Sequence, residues 1–211
     1  MRKRSTLLAI KETGRRIFTT REISSVSGKS LSAVTQSLKN LAEEGFIIKI
    51  CRGVWAQAGQ PINPYAAIPY IFQERRAYVS FISALHIHGI IEQIPQVTTI
   101  ASTAHARTIR TAVGVFQVHR ITPSFFAGFE WYKGSGNFLI AEPEKALVDS
   151  LYVSAYKKRM FGHFPELHFP ASFSFKKARE WVGKIPAANT RAYAERRLKE
   201  ILASARGNAA R

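Results

Sequence analysis

Two short helices separated by nothing longer than a glycine turn leave a chain few ways to bury its apolar residues, and residues 19–45 spell out such a pair. Thr19-Thr20-Arg21-Glu22 has the pattern of a capping box, in which the Thr19 hydroxyl accepts the Glu22 amide and the Glu22 carboxylate reaches back. The helix it opens carries Ile23 and Val26 three apart and stops at Ser27-Gly28. Gly28-Lys29-Ser30 makes the turn, with Ser30 as the next N-cap. The following helix, about residues 31–44, has Val34, Leu38 and Leu41 at i, i+4 and i+7, so one face packs inward until Gly45 closes it. A shorter helix precedes the pair, from Ser5 to Thr13 and ending at Gly14. After it, Phe46 to Ile50 and Val54 to Ala56 are β-rich runs around Cys51-Arg52-Gly53, which reads as a hairpin with a basic tip.

Helix, helix–turn–helix and hairpin follow one another in the order of a winged helix. In helix–turn–helix docking the second helix of the motif enters the major groove of DNA. Its outer face shows Ser32, Thr35, Gln36, Lys39 and Asn40, hydroxyls, amides and one amine suited to base edges and phosphates. The expected DNA contacts are therefore Lys29, Ser30, Ser32, Thr35, Gln36 and Lys39, with Lys49 and Arg52 on the hairpin. Arg2, Lys3 and Arg4 would act as a flexible basic arm. Charge points the same way. The chain carries 31 Lys and Arg against 14 Asp and Glu, a formal +17. Residues 1–60 hold 11 basic and 4 acidic side chains, residues 61–150 hold 7 and 6, and residues 151–211 hold 13 and 4. That surplus asks for a polyanionic partner. Some winged helices bind protein instead, and that alternative stays open.

Other chemistries find little support. Cys51 is alone, which excludes an internal disulfide and a thiolate metal site and fits a reducing cytoplasm. The longest apolar stretch, Tyr78 to Ile91, is interrupted by His86 and His88 and falls short of the ~20 residues of a membrane-spanning helix. The apolar run after Met1-Arg2-Lys3-Arg4 is too short for a signal peptide. His86 and His88 would face apart on a helix, and His105, His119, His163 and His168 are scattered, so no metal or other cofactor is expected. Ser80, Ser83 and His86 have no visible acid partner for a nucleophile triad. Glu142, Glu144, Lys145 and Asp149 read as helix charging plus a local ion pair rather than as a nuclease centre. The expectation is a protein without catalytic activity.

Gln60-Pro61-Ile62-Asn63-Pro64 is the clearest punctuation and places a domain boundary between residues 1–60 and 61–211. Beyond it a short helix is predicted from Pro64 to Glu74 and a buried helix from Tyr78 to Gly89. Strands follow at Val97–Ile100, Val115–Val118, Phe129–Tyr132 and Phe138–Ile140, with a turn at Gly134-Ser135-Gly136-Asn137. A helix starts at Pro143, and two more run from about Phe175 to Gly183 and Thr190 to Ala205. The fold class is α+β.

Three of these segments resemble the AbiEi antitoxin family. They are Tyr78 to His86 with His88 to Pro95, Phe116 to Ile121, and Ala141 to Asp149, standing in family order behind the winged helix. The resemblance implies a two-domain transcriptional repressor of its own bicistronic operon, binding inverted repeats in the promoter. It also implies a downstream nucleotidyltransferase-type toxin of phage-defence systems, opposed without a stable complex (type IV). Lys157, Lys158, Arg159, Arg196 and Arg197 would form either a second phosphate-contacting surface or a solvated face. The oligomeric state is open. So are two rival classes, a nuclease targeted by its winged helix and a module that binds a toxin directly.

Overall fold

The computed structural model describes residues 4–72, 77–134, 136–156, 161 and 164–209. Its class is α+β, and the chain divides into two compact units, Met1–Gln73 with Arg110–Gly114, and Glu74–Ile109 with Val115–Arg211.

In the first unit, helix α1 (Thr6–Thr13) is capped by Ser5, whose hydroxyl accepts the Leu8 amide, and stops where Gly14 turns left-handed at φ +61°. Strand β1 (Ile17–Thr19) follows, then α2 (Thr20–Ser27), α3 (Leu31–Glu43), β2 (Ile47–Cys51), β3 (Val54–Gln57) and α4 (Pro64–Ile71). The strands form an antiparallel sheet in the order β1-β3-β2. Ala9, Ile10, Phe18, Ile23, Val34, Leu38, Ile47 and Trp55 make one core that joins the three helices to this sheet. Sequence reasoning missed β1. All three of its residues are buried, so it shows no alternation, and three residues are too few to register as a strand.

Helix α4 also differs from expectation in its allegiance. Asn63 caps it and Pro64 takes its first position, where a missing N–H costs nothing. It packs against β1, so the Gln60–Pro64 punctuation lies inside the first unit. The division falls at residue 73 rather than 60.

The second unit contains β4 (Ala77–Val79), α5 (Phe81–Ile87), β5 (Thr98–Ser102), most of β6 (Arg107–Thr111) and of β7 (Gly114–Arg120), whose facing ends fall in Arg110–Gly114, a 3-10 turn at Pro123–Phe125, β8 (Phe129–Trp131) and β9 (Leu139–Ala141). Helices α6 (Pro143–Tyr156), α7 (Phe175–Gly183) and α8 (Ala188–Ala209) complete it. The sheet order is β6-β7-β5-β4-β9-β8, with β4/β9 and β5/β7 parallel and β4/β5 and β8/β9 antiparallel. The expected helix from Tyr78 is corrected here: Ala77 to Val79 form an interior strand, and the helix begins only at Phe81. A strand flanked on both edges and buried on both faces shows no period-2 pattern, so an apolar run cannot be told from a buried helix. Helix α6 is buried from Glu144 through Ser154 and packs against α5, α7 and α8, which makes it the axis of this unit.

Candidate functional site

The capping signals at residues 19–30 are realised as bonds. Thr19 Oγ1 accepts the Glu22 amide at 3.1 Å, and Glu22 Oε2 accepts the Thr19 amide at 2.6 Å. Gly28 takes φ +68° to end α2, a conformation that strains any residue with a Cβ. The Ser24 hydroxyl donates to the Lys29 carbonyl at 2.7 Å, and Ser30 Oγ accepts the Ala33 amide to start α3. The β2–β3 hairpin is tied to the same corner. Its two-residue turn is Arg52-Gly53, the Gly53 carbonyl accepts the Thr20 amide at 3.0 Å, and Trp55 Nε1 donates to Thr20 Oγ1 at 3.0 Å. Because β1 runs alongside β3 up to Val54, the hairpin does not extend beyond its sheet, and Arg52 stands beside the start of α2.

Val34 and Leu38 anchor the inner side of α3, which turns Ser32, Ala33, Gln36, Lys39, Asn40 and Glu43 to solvent. At about 100° per residue, Ser32, Gln36, Lys39 and Glu43 fall within an arc of roughly 60°. Gln36 Nε2 donates to Asn40 Oδ1 at 3.0 Å, joining two amides one turn apart. Ser30 and Ser32 hydroxyls lie 3.1 Å from each other. Thr35 sits on the flank, half-buried, and donates its hydroxyl to the Leu31 carbonyl. Lys29 is also half-buried, with its amine 3.5 Å from Thr6 Oγ1. Lys49 is exposed on β2 with its amine 5.8 Å from the Trp55 ring centre, and Arg52 is exposed at the turn. Burial pushes the Cys51 thiol up, against the opposing pull of Lys49.

One expected role is corrected. Arg4 is not part of a flexible arm, because its amide donates to the Ser27 carbonyl and its guanidinium pairs with Glu12 at 2.6 Å. Arg2 and Lys3 lie outside the described residues. One exposed side chain escaped the sequence reading. Leu31 is 50% exposed at the start of α3 although it is in phase with Val34, Leu38 and Leu41, so the pattern alone would have placed it on the packed side.

In the second unit the titratable groups of α6 are enclosed. Lys145 and Asp149 are fully buried and paired one turn apart. Asp149 Oδ2 also accepts the Tyr78 hydroxyl at 2.9 Å and the Ser80 hydroxyl at 2.7 Å. The Lys145 amine donates to Tyr78 Oη at 3.1 Å and lies 4.0 Å from the centre of the Phe125 ring. Burial holds Lys145 below its usual range, opposed by Asp149, and raises Asp149, opposed by Lys145, Ser80 and Tyr78. Burial and the nearby carboxylate both push Tyr78 well up.

Ser80 therefore does have an acid partner, supplied from 69 residues away, but it is itself sealed from solvent. Glu144 pairs not with its neighbour but with α7, accepting the Ser174 amide at 2.9 Å, while Lys177 bridges Glu142 and Glu144. His86 Nδ1 and His88 Nε2 go to different carbonyls, those of Ile91 and Ala141. Among the described residues no three His, Cys, Asp or Glu side chains gather as a metal site.

Of the second basic group, Arg196 is exposed over the Tyr193 ring and Arg197 pairs with Glu200 at 2.5 Å. Lys157, Lys158 and Arg159 lie outside the described residues, as does His163. Among the described residues no helix is long and apolar enough to cross a membrane.

A family described as Firmicute plasmid replication protein (RepL) matches residues 7–68, which run from α1 into α4. The match runs through α1, α2, α3 and the three strands of the first unit into α4, and stops short of the segments that carry the antitoxin resemblance. No curated protein matches the chain.

Proposed function

We propose that this chain is a sequence-specific regulator of double-stranded DNA whose first unit is a winged helix. Helix α3 would enter the major groove, and Arg52 and Lys49 on the hairpin would meet the flanking phosphates. The observation that carries this reading is the outer face of α3. Its inner side is locked by Val34 and Leu38, its start is capped by Ser30, and it holds Ser32, Gln36, Lys39 and Asn40 in solvent on adjoining stripes. The formal +17 supplies the long-range attraction such a helix needs. The likeness of residues 7–68 to a plasmid replication family supports a role at DNA, and it favours control of replication as one setting.

The finer alternative is an autorepressor acting as the antitoxin of a type IV system. It is supported by the three AbiEi-like segments between Tyr78 and Asp149. Both settings would place the chain in the cytoplasm, and neither calls on it for catalysis. The assay is fluorescence anisotropy of the chain with its own upstream DNA against a shuffled duplex, over a salt series. Preference for the upstream DNA at physiological salt is the expected result. Equal, steeply salt-dependent binding of both duplexes would reduce the charge to a non-specific footprint and refute the proposal.

A further inference from the structure

The residues that α3 exposes also restrict which base pairs it can read. We infer that α3 reads an A·T half-site, with Gln36 and Asn40 each pairing to an adenine and Ala33 meeting a thymine methyl. This rests on the DNA-binding reading above and names the sequence class that reading leaves open.

Adenine shows the major groove an acceptor, N7, beside a donor, the N6 amine, and a carboxamide answers with one donor and one acceptor. Guanine shows two acceptors, N7 and O6, so the same carboxamide would set its oxygen against a lone pair. Arginine and lysine are the side chains that answer guanine with two donors; α3 contains no arginine and one lysine, Lys39, against two carboxamides.

The bond from Gln36 Nε2 to Asn40 Oδ1 consumes one amide proton of Gln36. Gln36 Oε1 and the second proton remain for a base edge, while Asn40 keeps both its donors and one lone pair. The bond also fixes the two amides about 6 Å apart along the helix, against roughly 3.4 Å per base step. The two adenines therefore lie one or two steps apart.

At the end of α3 that leads into the groove, Ala33 is exposed on the same side of the helix as Gln36 and Asn40. An apolar side chain there gains from a thymine methyl and offers nothing to a G·C pair. At the other end Glu43 stands exposed on the same stripe, where its carboxylate repels phosphate. The reading stretch is thus Ser32 to Asn40.

The test is selection of binding sites from a random duplex library by the full chain, repeated with Gln36→Ala and Asn40→Ala. The expected motif holds two adenines one or two steps apart beside a thymine. Each substitution should flatten one adenine position by about 5- to 150-fold while leaving the other. An enriched motif built on guanine, or one that both variants leave intact, would overturn this inference while the DNA-binding reading stands. Failure to enrich any motif would overturn that reading and this inference together.

Discussion

Replacing Lys145 by methionine keeps the length and bulk of the side chain among Phe125, Trp181 and Tyr78 while removing its charge. Asp149 is then left fully buried with only the Tyr78 and Ser80 hydroxyls to hold it. Breaking a buried pair on one side costs about 3–5 kcal/mol. Proton linkage gives a consistent figure. A carboxyl that must stay protonated in the folded protein, against an ordinary value near 3.9, loses about 1.4 kcal/mol per pH unit, or roughly 4 kcal/mol by pH 7.

The sign follows from the raised Asp149, whose lysine partner no longer opposes the effect of burial. The Lys145→Met protein should be most stable below the ordinary aspartate range and weaken as pH rises toward the folded-state value. Urea unfolding followed by tryptophan emission at pH 5, 6 and 7 reads this directly, since the Trp181 ring lies 5.5 Å from the Lys145 amine. Adding Asp149→Asn should restore most of the stability and remove the pH slope. A single Lys145→Met loss under about 1 kcal/mol, flat between pH 5 and 7, would refute a buried charge pair.

Three further outcomes are expected. Thr19→Ala should lower the stability of the first unit by about 0.5–2 kcal/mol in thermal unfolding while Thr19→Ser does not, because the cap needs only a hydroxyl; equal losses would point to packing instead. Arg52→Ala should weaken binding to all duplexes alike and flatten the slope of log affinity against log salt by about one unit, and an unchanged slope would take the hairpin tip off the phosphate backbone. Cys51 should react with iodoacetamide more slowly than a free thiol at pH 8, with a rate still climbing above pH 9, since burial keeps the thiol protonated; a rate that levels off below pH 8 would contradict the raised value.

The first unit was legible where its signals are local. Thr19, Glu22, Gly28, Ser30 and Gly45 act on their own neighbours, so the sequence places the starts and stops of α2 and α3 within a residue. What it hides depends on partners far along the chain. Tyr78 and Val79 look helical until β5 and β9 are known to flank them, and Ser80 looks partnerless until α6 brings Asp149 to it. Arg4 reads as a free cation because nothing local announces Glu12 as its partner eight residues on. On α3 the reading side was legible from the phase of Val34 and Leu38. The Gln36–Asn40 bond and the exposure of Leu31 needed coordinates.

Sequence-specific binding by this chain requires the outer face of α3 to meet DNA. Gln36→Glu is the most direct test of that contact, because the residue is solvent-exposed, glutamate suits a helix, and the change puts a carboxylate on that face. With thermal unfolding unchanged, anisotropy should show affinity for the chain's upstream duplex falling by at least about tenfold, the effect of roughly 1.4 kcal/mol. Affinity equal to that of the unsubstituted protein would mean that α3 does not face the DNA.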